Sequence, residues 1–262
     1  MAKNLIELKN VSKIFNEALE KKAKTAVSDL TFTVEEGAIT GFIGPNGAGK
    51  TTSIKMILGL VKPTKGEVSL MGISANNPLA REEVAFVSEQ PYFYEHLSAY
   101  ETLKFICKLK RFYKKETDRE IDRVLDIVGM KRHAKERVKS FSKGMQQRLN
   151  MAQALIANPK LIIMDEPMSG MDPLGRRLFR ELFKDLAERG TTIFFSTHIV
   201  EDIQTLCDKI VVLSKGKLRL SGSVDEIIKS ACQAQDRAQK SAMPQLEEIL
   251  YANAEKGDEE WI

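Results

Sequence analysis

Three stretches of the sequence hold residue types that can bind phosphate and act on it. The run GPNGAGKT, Gly44 to Thr51, fits G-x-x-x-x-G-K-[ST]. There Gly44, Gly47 and Gly49 reach backbone angles closed to other residues and let the main chain close on an anion, so that successive N–H groups point inward. Pro45, Asn46 and Ala48 complete the loop, and a helix opening near Lys50 adds unpaired amides and the positive end of its dipole. Lys50 would reach the β- and γ-phosphates, Thr51 would hold Mg²⁺ with its hydroxyl, and Thr52 follows on the same turn. In LIIMDEP, residues 161 to 167, an apolar strand ends in two carboxylates that strand alternation would send to opposite sides. Asp165 is placed to hold Mg²⁺ through water, and Glu166 to polarise an attacking water, a role worth ~10²–10⁴ in rate. His198, after TTIFFST, ends a neighbouring strand at the sheet edge where ligands of open α/β sheets collect, and there it could donate to a γ-phosphate oxygen. The third stretch is SFSKGMQQR, Ser140 to Arg148: Ser142 is a good N-cap and Gly144 leaves the first amides of the new helix bare. One chain thus carries one phosphate loop and a second anion-binding helix terminus.

The elements needed to position these residues are legible in the hydrophobic pattern. Residues 5 to 15 and 30 to 34 alternate apolar and polar as half-exposed strands do, whereas AITGFIG from Ala38 is apolar on both faces, as a strand inside a parallel sheet must be. It feeds through the glycines into a helix, KTTSIKMILGL. The same order recurs in LIIMDEP, in a helix with Leu174, Leu178, Leu182, Phe183 and Leu186 at helical spacing, and in TTIFFSTH. Strands alternating with helices imply a parallel sheet with helices packed on it. Between about 92 and 157 only helical patterns occur, which predicts an inserted helical lobe. KIVVLSKGKLRLSG predicts a hairpin turning at Lys215 and Gly216, after which the chain becomes polar before a short amphipathic helix, QLEEILYA.

In order and spacing, these motifs resemble those of the ATP-binding subunits of ABC transporters, over nearly all of residues 5 to 222. GPNGAGKT is similar to their Walker A, SFSKGMQQR to the LSGGQ signature, LIIMDEP to Walker B with its catalytic glutamate, SGMD (ending at Asp172) to the D-loop, and FFSTH to the switch histidine. The resemblance implies an α/β P-loop NTPase fold of ABC type: a RecA-like, mostly parallel core sheet, an N-terminal antiparallel β subdomain and the helical lobe, all within residues 1–222, followed by a C-terminal helical extension, 223–262. It implies ATP and Mg²⁺ as cofactors, and a dimer, homomeric or heteromeric, in which the Walker A of one subunit faces Ser142, Lys143 and Gly144 of the other. It also implies that Phe15 stacks on adenine, that a Q-loop glutamine, Gln90 with Glu89 as the alternative, links Mg²⁺ to a membrane-spanning partner, and that Tyr92, Phe93 and Tyr94 open the lobe that receives this partner. Packing of the lobe itself is an equal account of these aromatics.

The chain departs from the pattern at Lys143 and Met145, where the signature has its first glycine and its glutamine. Within the family the nearest likeness is to exporters of the ABC-2 kind; a soluble relative that drives a cytosolic scaffold, such as iron–sulfur cluster assembly, is the alternative. A GTPase is disfavoured, because DPLG, Asp172 to Gly175, fits D-x-x-G but no N-K-x-D follows.

Composition narrows the field further. Lys+Arg 40 against Asp+Glu 36 gives only +4, too small an excess for nucleic acid as main ligand. The basic runs at 21–24, 108–115 and 131–139 read as solvated helix faces or as surfaces for anionic headgroups or a partner. Cys107, Cys207 and Cys232 form neither a disulfide framework nor a metal-ligand spacing. No apolar run approaches the ~18 residues of a membrane span, and the start MAKNLIELKN lacks a signal-peptide core. The expected place is the cytoplasm, peripherally on the inner face of the membrane.

Overall fold

In the computed structural model, the described residues are 3–16 and 23–228. In chain order the elements are β1 (Asn4–Asn16), β2 (Ala23–Glu35), β3 (Ile39–Ile43), α1 (Lys50–Ile57), β4 (Lys65–Leu70), β5 (Ile73–Ser74), β6 (Val84–Val87), α2 (Ala99–Leu109), α3 (Lys114–Ile127), α4 (Lys143–Leu155), β7 (Leu161–Met164), α5 (Pro173–Glu188), β8 (Thr192–Thr197), α6 (Val200–Leu206), β9 (Lys209–Ser214) and β10 (Lys217–Ser223). They form two compact units: the described residues up to Glu82 with those from Thr192 onward, and Glu83–Thr191.

The first unit carries the antiparallel sheet β2-β1-β4-β5. It also carries a mostly parallel sheet in which β3 pairs in parallel with β8 and β9, while β10 returns antiparallel to β9. β3 and β8 are buried at every residue, as strands flanked on both faces must be. Phe32 of β2, Phe42 of β3 and Phe194 of β8 stack at centroid separations of 5.4 to 6.1 Å and join the two sheets in one core. β1 does not alternate strictly: its register with β2 shifts near Asn4 and between Leu8 and Val11, which lets Leu5 and Ile6 both be buried. The expected hairpin turns at Lys215 and Gly216, with φ of +47° and +73°, the paired left-handed geometry that a two-residue antiparallel turn requires.

The second unit pairs β6 with β7 in parallel, and its described elements between these strands are all helical. α2 starts with a capping box, Ser98 accepting from the Glu101 N–H while the Glu101 carboxylate accepts from the Ser98 N–H at 2.8 Å. α3 and α4 are clipped together at their C-terminal side. Arg123 donates to both oxygens of Glu120 and, at 2.8 Å, to the Leu155 carbonyl, while the Ala157 N–H donates to Glu120 at 2.9 Å. Burial would raise the Glu120 carboxyl, but Arg123 and the Ala157 amide outweigh it and hold the group below its usual range. The clip lies at Ala157 and Asn158, both left-handed at φ of +71° and +46°.

The stripe expected on α5 is corrected in part. Gly175, Phe179, Phe183 and Leu186 face inward, whereas Leu174 and Leu178 are exposed. The buried face is set by Phe179, which the leucine spacing had hidden. Among the described residues no helix is long and apolar enough to cross a membrane. The tail after residue 228, with Cys232, QLEEILYA and Trp261, and the segment 17–22 lie outside the described residues.

Candidate functional site

The phosphate-loop residues form one continuous cradle in the first unit. β3 delivers Gly44, and α1 begins at Lys50 with Gly49 as its N-cap in the left-handed region, φ +105°. A Cβ at Gly49 would come within 2.7 Å of the Ala26 carbonyl, so only glycine fits there. Gly47, at φ +79°, has nothing within 4 Å of the place a Cβ would take, leaving its main chain open to a ligand. Ala48 N–H closes a turn on the Pro45 carbonyl at 3.1 Å, with Asn46 and Gly47 exposed at the tip. Lys50 is buried, and its ammonium donates to the Gly44 carbonyl at 2.5 Å and to that of Pro45 at 3.3 Å, so the cation is held over the loop. Thr51 is exposed and Thr52 half-buried on the first turn.

His198 follows β8 in the same unit and is exposed; the Ile199 N–H donates to Thr197 Oγ1 at 3.0 Å, turning the chain at that point. Phe15, near the end of β1, is 41% exposed, so it is not a core residue, and Lys13 Nζ lies 5.0 Å above its ring.

In the second unit β7 ends at Met164, so the carboxylate pair stands just beyond the strand. The Asp165 N–H still donates to the Val87 carbonyl at 2.9 Å, and the residue is buried. Glu166 turns left-handed at φ +47°, costly for a residue with a side chain. What ends the pleat between the two carboxylates is therefore this backbone reversal, not the strand alternation read from the sequence.

α4 opens as expected: Ser142 is its N-cap and accepts from the Met145 N–H at 3.3 Å. A Cβ at Gly144 would meet nothing within 4 Å, so the helix start is bare. Lys143 folds its stem across Gly170 of SGMD, where any Cβ would collide with it. Asp172 is exposed and caps α5, accepting from the Gly175 N–H at 2.7 Å with Pro173 at the first helical position. That cap accounts for the D-x-x-G spacing. Beside Ser142 and Gly144 a cavity of about 230 Å³ is lined by Arg132, His133, Met145, Arg148, Met171 and Asp172, so two guanidinium groups and one carboxylate border this helix start.

Gln90 is exposed after β6, and Glu89 is half-buried. Their segment is held by two residues to which the motifs gave no role: Gln147 Nε2 donates to the Glu89 carbonyl at 2.6 Å, and Asn150 Nδ2 to the Ser88 carbonyl at 2.9 Å. Both side chains are buried. Their spacing of three puts both on one helix face, but Gln146, Arg148 and Gln153 beside them are polar too, so the sequence does not single them out. Of the lobe's aromatics, Phe93 packs inward while Tyr92 is 91% and Tyr94 55% exposed. Tyr94 meets Tyr92 and Phe105 edge-on at 6.5 and 6.4 Å, and a groove of about 350 Å³ runs beside them.

The Thr51 hydroxyl of the first unit and, in the second, the Asp165 carboxylate and the Gln90 amide oxygen are each hard donors of the kind that suits Mg²⁺.

Residues 27–169 match the family model described as ABC transporter. The chain is 40% identical over 228 residues to an ABC transporter ATP-binding protein of Synechocystis sp., covering 86% of this chain and 64% of that one. It is 42% identical over 199 residues to the bacitracin transport ATP-binding protein BcrA of Bacillus licheniformis, covering 75% of this chain and 64% of that one. The chain thus spans less than two thirds of these relatives' length. Among solved structures, one described as the ATP binding subunit of an ABC transporter is similar at TM-score 0.78 and 30% identity, over 95% of this chain and 99% of that one. A dimeric post-hydrolysis state of the cassette MJ0796 with ADP and Pi is similar at TM-score 0.76 and 26% identity, over 84% and 98%.

Proposed function

The chain belongs to the ABC transporter family, and we propose that it is an ATP-binding and ATP-hydrolysing subunit that works as a dimer and powers a transporter whose membrane-spanning part is a separate protein. The observation that carries the reading is the pair of anion-binding ends on one chain: the open loop at Gly47 with buried Lys50, and the bare, Ser142-capped start of α4. A single nucleotide needs the first; a second such end suits the nucleotide of a partner copy.

In this reading Gly44 to Thr52 cradle the phosphates and Phe15 lies on the adenine. Ser142, Lys143 and Gly144 close on the nucleotide of the other subunit, with Asp172 nearby at the same dimer face. Mg²⁺, held by Thr51, Asp165 and Gln90, would neutralise charge on the β- and γ-phosphates. Glu166 orients and deprotonates the attacking water, and His198 donates to a γ-phosphate oxygen where charge develops. The exposed Tyr92, Tyr94 and Phe105, beside their groove, support docking of the membrane partner on the helical lobe, because an exposed apolar patch of this kind is an interaction surface. That docking would hold an otherwise cytoplasmic chain at the inner face of the membrane. The likeness to a bacitracin transport protein supports an exporter of the ABC-2 kind.

Tagged chain purified from its own cells in mild detergent should carry a polytopic membrane protein with it, and should carry less of it after Tyr94→Ala. A partner set made up only of water-soluble proteins would overturn the transport reading.

A further inference from the structure

Where β6 leaves the sheet, its carbonyls lose strand partners and must find others. Three successive ones do so in different ways. Val87 accepts from the Asp165 backbone N–H at 2.9 Å, Ser88 from Asn150 Nδ2 at 2.9 Å, and Glu89 from Gln147 Nε2 at 2.6 Å. The two amides are themselves linked, Asn150 Nδ2 also reaching Gln147 Oε1 at 3.3 Å, and Gln153 Nε2 donates to Asn150 Oδ1 at 2.8 Å. Gln147 and Asn150 are 0% and 1% exposed. Spaced i, i+3 on one face of α4, they hold adjacent peptide groups of the exit segment, a register that an apolar contact would not define.

We propose that Gln147 and Asn150 are positioning residues that pin the segment Val87–Gln90 to α4, so that Asp165, Gln90 and the helix start at Ser142 and Gly144 keep one geometry and shift together. The inference rests on the function proposed above. Gln90 directly follows a pinned carbonyl, Asp165 is bonded to the same run, and Ser142 caps the helix that carries the amides. A helix is stiff over this distance, so a displacement of the segment is delivered to its N-terminus.

The test compares wild type, Gln147→Leu, Asn150→Leu and the double variant in steady-state ATP hydrolysis by the full chain. Each single variant should lower kcat on the order of tenfold, the cost of a small misplacement, with KM for ATP within about twofold. The double variant should lose no more than the worse single one, because the pins act as a unit. Singles with wild-type kcat, or a KM that rises in step with the fall in kcat, would overturn the proposal. If the leucine variants fail to fold, Gln147→Glu decides. Its carboxylate has no proton to donate to the Glu89 carbonyl, so kcat should fall on the order of tenfold with KM for ATP within about twofold. A wild-type kcat in this variant overturns the pinning. A wild-type chain that does not hydrolyse ATP overturns the proposed function itself, and this inference with it, whereas active wild type with active variants overturns the pinning alone.

Discussion

Glu166 occupies a left-handed backbone position, φ +47°, immediately after buried Asp165. Strain of this kind costs about 1–3 kcal/mol and persists only where surrounding structure imposes it, a pattern typical of functional sites. Glu166→Gln preserves size and backbone but removes the carboxylate proposed as the base. It should keep ATP binding while lowering turnover by ~10²–10⁴, and an ATP-bound dimer should accumulate in gel filtration. Wild-type turnover in that variant would remove Glu166 from the role. At this scale the motifs were legible because their chemistry is local: Lys50, Ser142 and Asp172 each answer to a neighbour within a few residues. The reversal at Glu166 was not, because the strand's end at Met164 is set by pairing with β6, far away in sequence.

Among the elements, α4 bears most on the proposed site, since it carries the proposed second anion-binding end and is held at its middle and at its C-terminal side. At its C-terminal side, the Glu120–Arg123 clip holds the left-handed exit at Ala157 and Asn158. Glu120→Ala removes the acceptor of the Ala157 N–H and of Arg123, and should cost about 1–3 kcal/mol in urea unfolding. Its carboxyl lies below the ordinary 4.5, so the contribution is fully present above that pH and is lost as pH falls through the lowered value. The difference between wild type and variant should therefore be constant from pH 5 to 8 and shrink on further acidification. A difference that grows below pH 4.5 would refute the clip. Helix periodicity predicted α4 well, but which face is polar and buried depends on the carbonyls of the β6 exit, which no local pattern reports. The same holds for α5, where Phe179 and not Leu178 is buried.

For the whole molecule the consequence is incompleteness: the proposed second wall of the nucleotide site is another copy's Ser142 and Gly144. Ser142→Arg places a cation and bulk at the helix start and gives up the cap, at about 1 kcal/mol. It should abolish the ATP-dependent dimer of the Glu166→Gln background in sedimentation while nucleotide binding by the single subunit survives. Loss of both would mean that α4 does not face a nucleotide.

By itself the sequence determined the phosphate loop, the strand–helix order and the paired carboxylates, because backbone freedom at glycine, hydrophobic period and N-cap chemistry are properties of short segments. The hairpin at Lys215 and Gly216 turned where it was predicted. Only the tertiary structure decided the left-handed turn at Glu166, the exposure of Phe15, Tyr92 and Tyr94, the buried face of α5, and the grip of Gln147 and Asn150 on the β6 exit. Each of these is set by what lies opposite in space, and hydrogen bonds across 58 and 62 residues leave no period in the chain.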